Sequence, residues 1–228
     1  MLLSFLRSSP AIALAYSWLH GTRLHVAGPG HQVRRHNAIL RGTRIEILGT
    51  GCRLTIGPGA RLWDCSITLA GDGAELSIGA GCRLQQTRLC VEDRGSRLLI
   101  GAQTSIIGGT LVSQEGRLLS VGADCMFAQR ADVRNSDGHA ICDQQAVRIN
   151  AAADVVVGNH VWLGLGACVG TGARIGDGAV IGALALVTTE IPPACVAFGV
   201  PARPRRTGIR WDRSRETPGP PAPTPFLP

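Results

Sequence analysis

Residues 157–192 read VGNHVW LGLGAC VGTGAR IGDGAV IGALAL VTTEIP, which is six consecutive hexads with one layout. An aliphatic residue opens every hexad, a glycine follows it in the first five, and a small or branched apolar residue comes four positions after it. A helix repeats apolar residues every three or four positions and a half-buried strand every two, so neither produces a period of six. The hexads predict a coil with three short flat sides, each hexad supplying one side and one corner.

The upstream segments repeat this pattern at a longer interval. LTIGPGARLW, LSIGAGCRLQ, LLIGAQTSII and LSVGADCMFA begin at residues 54, 76, 98 and 119. Their anchors lie 22, 22 and 21 residues apart, at Ile56, Ile78, Ile100 and Val121. Three hexads need 18 residues, so we expect a three- or four-residue excursion in each coil, at AGDGAE, EDRGSR and SQEGR. The next interval, 36 residues to Val157, predicts one coil plus an extended loop over about residues 134–154, where we expect the chemistry.

The composition excludes several classes of protein. Among 228 residues there are 30 Gly and only nine aromatic residues, which agrees with a narrow interior and frequent corners. All 23 basic residues are Arg, and this excludes lysine Schiff-base and P-loop mechanisms. No apolar run reaches the length of an ordinary membrane span. The eight cysteines stand singly without a CxxC pair, so we expect small buried residues in a reducing compartment, the cytoplasm.

The chain divides into three parts by pattern. We predict an N-terminal helical or irregular segment over residues 1–36, a repeat domain over 37–206 and a largely disordered Pro-rich tail over 207–228. The apolar run before residue 20 does not have the form of a signal peptide. It predicts a short helix that packs on the body or rests on a membrane surface.

Several stretches of the second half carry a resemblance to a known family. They are VRNSDGHAICD (133–143), RIN (148–150), DVVVGNHVWLG (154–164), IGDGAVIGA (175–183), VTTEIPP (187–193), FGVPARPRR (198–206) and IRWD (209–212). These stretches resemble the hexapeptide-repeat acyltransferases, and within them the O-acetyltransferases of capsular or exopolysaccharide sugars. The resemblance implies an all-β fold, a left-handed parallel β-helix solenoid with a short N-terminal helix and an irregular Pro-rich tail. It also implies a homotrimer with a cofactor groove between adjacent prisms.

His139 is the predicted catalytic base. It follows the polar turn Asn135-Ser136-Asp137-Gly138 in the long loop. Acyl transfer from a thioester to a hydroxyl group needs a base, and neutral imidazole is suited to accept that proton. Asp137 or Asp143 is expected to orient the ring, and Asn135 and Ser136 are predicted to bind substrate.

The resemblance also assigns an acetyl-CoA site. It places Trp162 beside the thioester, and the family's other CoA contacts map onto Ala183, Thr188, Thr189, Arg203 and Arg206. The chain departs from the family pattern twice. Leu184-Ala185 replaces the usual Gly-Ser, which is expected to narrow the groove. Thr189 replaces a basic residue, which leaves more of the phosphate charge to Arg205 or Arg206.

Two other site types are disfavoured. His139 and His160 are the only histidines in the second half, 21 residues apart, so we expect no metal site and interpret His160 as a surface residue of its coil. The Arg residues recur along the coils without aromatic interleaving, so a nucleic-acid partner is not expected. The charge of +7 instead favours an anionic glycan, sugar nucleotide or lipid headgroup.

The sequence therefore predicts an acetyl-CoA-dependent O-acetyltransferase that modifies a sugar or polysaccharide hydroxyl in polysaccharide biosynthesis. Two alternatives stay open: an N-acetyltransferase of an amino-sugar nucleotide on the same scaffold, and a non-catalytic solenoid that serves as a binding module. We expect a cytoplasmic protein. A peripheral contact with a membrane is a further option.

Overall fold

The computed structural model describes residues 10–214, in which one helix precedes a stack of short strands. Residues 1–9, the start of the predicted N-terminal segment, and 215–228, most of the predicted tail, lie outside the described residues. Helix α1 (Pro10–Leu19) begins with proline at its first position, where the missing N–H costs no hydrogen bond. The strands wind repeatedly through three sheets, A, B and C.

Each turn of the chain contributes one strand to each sheet, and the pairing between turns is parallel. Sheet A contains β1 (Arg23–Val26), β4 (Arg44–Ile47), β7 (Ser66–Leu69), β10 (Arg88–Val91), β13 (Thr110–Ser113), β16 (Asp132–Arg134), β19 (Cys168–Val169) and β22 (Leu186–Val187). Sheet B contains β2 (Gln32–Arg34), β5 (Arg53–Ile56), β8 (Glu75–Ile78), β11 (Arg97–Ile100), β14 (Leu118–Val121), β17 (Val155–Val157), β20 (Arg174–Ile175) and β23 (Glu190–Ile191). Sheet C contains β3 (Ile39–Arg41), β6 (Arg61–Trp63), β9 (Arg83–Gln85), β12 (Ser105–Ile107), β15 (Met126–Phe127), β18 (Trp162–Leu163), β21 (Val180–Ile181), β24 (Cys195–Gly199) and the antiparallel β25 (Ala202–Thr207). The predicted parallel β-helix with a short N-terminal helix is confirmed.

The interior is a set of apolar columns that run along the stack. On sheet A, one column consists of Ile45, Ile67, Leu89, Leu111, Val133 and Val169, all buried. One aromatic side chain, Phe127, also enters this interior. The interior residues before and after Phe127 in the chain are Val121 and Val133. In the preceding coil their positions are occupied by the larger Ile100 and Leu111, so the two valines leave volume for the phenyl ring.

The longer coils of the first half are not hexad coils with one projecting loop. Strands β19, β20, β21 and β22 start at residues 168, 174, 180 and 186, at equal intervals of six. In the first half, β4, β5, β6 and β7 start at residues 44, 53, 61 and 66. The expected turns at the corner between sheets A and B are present. In addition, the strands of sheets A and B in the first half are longer than the two-residue strands of the hexad coils. The extra residues therefore widen two sides of the prism.

In four of the five hexads that carry it, the glycine after the aliphatic residue is required by the close approach of the next coil; the exception is Gly170, where a Cβ atom would lie 3.7 Å from the nearest atom. A Cβ atom on Gly164 would lie 2.7 Å from the backbone nitrogen of Ala183, and one on Gly176 would lie 2.5 Å from that of Pro193. Coils stack at the distance of hydrogen-bonded strands, about 4.8 Å, which leaves no room for a side chain at this position.

The ends of the solenoid differ from the predicted boundaries. Strands β1 and β2 precede residue 37 and pair with β4 and β5, because residues 22–34 continue the coil pattern. Helix α1 packs against β3, where the Ser17 hydroxyl accepts a hydrogen bond from the Leu40 N–H at 3.1 Å. Residues 207–214 of the predicted tail lie on the solenoid, and Trp211 is buried there. Within residues 10–214, no helix has the length and hydropathy needed to cross a membrane.

Candidate active site

A polar cavity of about 590 Å³ lies on the outer face of sheet A, beside the long loop between β16 and β17. Sheet A contributes an outward-facing column, Arg88, Thr110, Asp132, Cys168 and Leu186. The loop contributes Ser136, Asp137 and His139. The structure thus brings together three of the side chains that the sequence analysis singled out.

Asn135 anchors the start of this loop. Its Nδ2 donates to Ser113 Oγ at 3.1 Å, and its Oδ1 accepts from the Gln114 N–H at 2.8 Å. Its carbonyl oxygen accepts from Thr171 Oγ1 at 2.9 Å on the following coil. The residue has no exposed surface. Asn135 therefore has no atom accessible to a substrate. Its predicted role in substrate binding is replaced by a role in anchoring the loop.

An ion pair ties the loop to the preceding coil. Arg148 donates to both carboxylate oxygens of Glu115, at 2.6 and 2.8 Å, and the Ser136 hydroxyl donates to the same carboxylate. These hydrogen bonds, first that of Arg148 and then that of Ser136, lower the pKa of Glu115 from its ordinary 4.5 to about 2. The carboxylate is therefore ionised at neutral pH, and both ends of the loop hold it.

Asn150 links this ion pair to the predicted catalytic residues. Its Oδ1 accepts from Arg148 Nε at 3.2 Å, and its Nδ2 donates to Asp137 Oδ2 at 2.9 Å. The same Nδ2 donates to the carbonyl oxygen of His139 at 2.8 Å. The backbone of His139 and the carboxylate of Asp137 are thus fixed by one amide.

The imidazole of His139 is exposed at the cavity. Among residues 10–214, no hydrogen bond joins either ring nitrogen to a protein group, and Asp137 does not contact the ring in this way. Asp143, the other expected orienting residue, accepts from the N–H groups of Gln145 and Val147 at 2.9 Å each. It stabilises the turn at the tip of the loop.

Trp162 lies on a different face, on β18 of sheet C, and does not line the cavity. Its indole ring is 5.9 Å from that of Trp211, centroid to centroid. Trp211 stacks flat on His160 at 4.0 Å and donates from Nε1 to the His160 carbonyl oxygen at 2.8 Å. The returning C-terminal segment therefore builds an aromatic cluster of Trp162, Trp211 and His160.

Both ring nitrogens of His160 are occupied in this cluster. Nδ1 is 2.7 Å from Asp124 Oδ2, and Nε2 is 3.1 Å from the Trp211 carbonyl oxygen. Burial raises the pKa of Asp124, but its hydrogen bonds with His160 and Arg213 outweigh this, and the net shift is downward. His160 is therefore a fixed member of the cluster, half-covered by Trp211 and unavailable for a metal pair with His139. The described residues contain no group of three or more His, Cys, Asp or Glu side chains suited to a metal ion.

The remaining predicted CoA contacts are exposed at three places: on sheet C, at the corner between sheets C and A, and at the corner between sheets A and B. Ala183 follows β21, Thr188 and Thr189 lie between β22 and β23, and Arg203 and Arg206 lie on β25. None of them lines the His139 cavity.

The two residues of the first departure, Leu184 and Ala185, have different surroundings. Ala185 is part of the core, whereas the Leu184 side chain is 66% exposed. Of the two, Leu184 is the side chain that can narrow a groove on this surface.

Glu115 and Trp211 were not predicted from the sequence to belong to these sites. Glu115 lies in the turn SQEGR, one coil before Ser136. Residues one coil apart lie next to each other in the stack, so the repeat length could have predicted this contact. Trp211 is separated from His160 by 51 residues, and no repeat relates the two.

The three-sheet solenoid, built on hexads and carrying a histidine loop, defines the class: the chain has the left-handed β-helix fold of the hexapeptide-repeat acetyltransferases. Within this class it is similar to the polysialic acid O-acetyltransferases. It is 40% identical over 113 residues to that enzyme of Escherichia coli O1:K1, which covers 49% of this chain and 37% of the relative. It is 42% identical over 64 residues to that of Neisseria meningitidis, which covers 28% of this chain and 30% of the relative.

The similarity to a solved structure extends over most of the chain. The crystal structure of the polysialic acid O-acetyltransferase OatWY matches with a TM-score of 0.84 and 26% identity, over 86% of this chain and 94% of that one. The chain's matches to the two curated relatives span only about a third of their lengths. No protein-family model matches the chain.

Proposed function

We propose that this protein is an O-acetyltransferase that transfers an acetyl group from acetyl-CoA to a hydroxyl group of an anionic polysaccharide. The observation that carries the proposal is the position of His139. Its imidazole is exposed at a polar cavity, while its backbone is fixed by Asn150 and, through Arg148, by Glu115. A base must be held in place yet remain accessible to substrate, and this arrangement provides both.

The proposed reaction is a direct acyl transfer. Neutral His139 accepts the proton of the acceptor hydroxyl as its oxygen attacks the thioester carbonyl carbon. Backbone N–H groups of a neighbouring coil stabilise the oxyanion of the tetrahedral intermediate. When the carbon–sulfur bond breaks, the imidazolium returns the proton to the CoA thiolate, and the products are an acetyl ester and free CoA. Asp137 lines the same cavity.

The proposed donor site is supplied by the surface around sheet C. Trp162 offers a wall for the thioester, and Arg203 and Arg206 offer guanidinium groups that match phosphate geometry. Because these residues and His139 lie on different faces of one chain, the site is complete only if two copies adjoin. A homotrimer that sets sheet C of one copy beside sheet A of the next would join the two halves.

The proposed acceptor is anionic because of the similarity to polysialic acid O-acetyltransferases and the charge distribution. The chain carries a formal charge of +7. On sheet A, the outward column that lines the cavity at Arg88 continues through Ser66 to Arg44 and Arg23, one residue per coil. These positions are spaced by about 4.8 Å, so an extended acidic glycan in the cavity would meet Arg44 and Arg23 further along.

The test is an acceptor comparison. The protein is incubated with acetyl-CoA and either polysialic acid, a neutral glucan or an amino-sugar nucleotide, and release of CoA thiol is measured. The proposal predicts release with polysialic acid and a product acetyl group that mild alkali removes. An alkali-stable amide on the amino-sugar nucleotide would instead support N-acetylation. A folded protein that binds no acetyl-CoA would support a binding module.

A further inference from the structure

The N-terminal end of the solenoid is formed by three elements, one at the edge of each sheet. Strand β1 begins sheet A, β2 begins sheet B, and α1 packs against β3 at the start of sheet C. Every residue of β1 and β2 is exposed. This end face is distinct from the His139 cavity, which begins three coils further along the stack at Arg88 on β10, while His139 itself follows β16, five coils along.

The end face presents apolar side chains to solvent. On α1, Trp18 and Leu19 are 76% and 72% exposed, and Leu14 is more than half exposed. Leu24 and Val33, on β1 and β2, are exposed beside them in the first coil. A tryptophan and leucines on the outer side of a short helix are the side chains that enter the headgroup region of a bilayer.

The charge of this end has a single sign. The first acidic residue of the chain is Glu46, and residues 1–45 contain six Arg and four of the six His residues. Uncompensated cations beside exposed apolar groups complement an anionic lipid surface.

Arg35 adds a subsite for a phosphate group. A cavity of about 220 Å³ is lined by Ala11 and Leu14 of α1 and by Arg35, His36 and Ala38. The Nε atom of Arg35 is buried there without a hydrogen-bond partner among the described residues, and burial lowers the pKa of this guanidinium. A buried donor without an acceptor is costly, and an anionic oxygen in the cavity would remove that cost.

We propose that the N-terminal end of the solenoid docks on the surface of an anionic phospholipid bilayer. Trp18 and Leu19 enter the headgroup region, and Arg35 binds a lipid phosphate at the edge of α1. Docking in this way leaves the sides of the prism free. The inference does not depend on the proposed acetyl transfer, because binding to lipid is measured without it.

Co-sedimentation with lipid vesicles tests the proposal on the full chain. Vesicles of phosphatidylcholine mixed with phosphatidylglycerol are compared with vesicles of phosphatidylcholine alone. We expect binding to the mixed vesicles, and a loss of binding as salt is raised from about 0.1 to about 1 M, where the screening length falls to about 3 Å. Absence of binding to the mixed vesicles, or equal binding to both kinds, would overturn the proposal.

Paired variants assign the binding to this end. W18S/L19S removes the apolar contact, R34Q/R35Q removes two cations, and each is expected to weaken vesicle binding at least about tenfold. I107S/L165S and R94Q/R97Q alter exposed apolar and basic side chains elsewhere on the solenoid and are expected to bind as the wild type does. Wild-type binding by both end variants would contradict the proposal. So would a fall in the solution mass of W18S/L19S without lipid, because the end would then be a contact between copies.

Discussion

The faces of sheets A and C carry different kinds of site on the same scaffold. On sheet A, an inserted loop places His139 and Asp137 at a polar cavity and is fixed by the ion pair of Glu115 with Arg148. On sheet C, a returning C-terminal segment stacks Trp211 on His160 beside Trp162. The coils themselves are regular, so both sites are built by segments that leave the repeat. In the proposed function, each face supplies half of the groups that acyl transfer needs.

Removal of the His139 imidazole is expected to have the largest effect. In H139A, turnover with polysialic acid should fall about 10²- to 10⁴-fold, because the general base is lost. The side chain is exposed, so the melting temperature should not change. Rates of CoA thiol release in H139A are compared with those in H25A, which changes an exposed histidine on β1 and should keep full activity. Full activity in H139A would show that the cavity on sheet A does not supply the general base.

The second prediction concerns the ion pair that fixes the sheet A loop. Lysine at position 148 keeps the charge but lacks the fork that bonds both oxygens of Glu115. We expect R148K to lower kcat about tenfold, because His139 loses its fixed backbone, and to leave the KM for acetyl-CoA unchanged. Hydrogen exchange over residues 135–154 should rise in parallel. The matched variant R94K, on an exposed surface pair, should change neither quantity.

The third prediction concerns the aromatic cluster of sheet C. In W211A, loss of the stack on His160 should destabilise the fold by about 2 kcal/mol and free Trp162. We expect the KM for acetyl-CoA to rise several-fold while that for the acceptor stays constant, the opposite of an effect on sheet A. W211F, which keeps a ring, should recover most of the donor affinity. A change in the KM for the acceptor without a change in the KM for acetyl-CoA would contradict the assignment of the donor site to sheet C.

The smallest expected effect is a pH dependence confined to the sheet A loop. The folded pKa of Glu115, about 2, lies below its ordinary 4.5, so its stabilisation is present above pH 4.5 and is lost as the pH falls toward 2. The protection of residues 135–154 against hydrogen exchange, corrected for the intrinsic pH dependence of exchange, should therefore fall in that window in the wild type. In E115Q, exchange should be fast already at neutral pH and lack this step. An identical acid profile in both proteins would show that the ion pair does not hold the loop.

The repeat could be predicted from sequence because it is local. Six hexads of aliphatic residue and glycine suffice for the second half, and the period places the anchors of the first half. The widening of two sides in the 22-residue coils was not predictable, because strand length depends on how neighbouring coils pair. Phe127 entered the interior against expectation, since the valines that make room for it lie on adjacent strands.

The candidate site could be predicted from the sequence only where its residues are close together in the chain. The NSDGH stretch pointed to His139, but the burial of Asn135 follows from contacts with the coils on either side. His160 was predicted to be a surface residue and its side chain is 37% exposed, but its stacking with Trp211, 51 residues away, was not predicted. The partnership of Glu115 with Arg148 likewise spans 33 residues and appears only when the coils stack.

In the proposed function, the faces of sheets A and C from two copies form one transfer site. This arrangement is tested by mixing two inactive variants, H139A and W162A, as co-expressed and reassembled oligomers, and measuring CoA thiol release with polysialic acid. Each variant alone should be inactive, and random mixing should restore activity at about a quarter of the sites, where an intact sheet A meets an intact sheet C. No recovery in a mixture shown to contain both subunits in one oligomer would contradict the claim, because each site would then belong to a single chain.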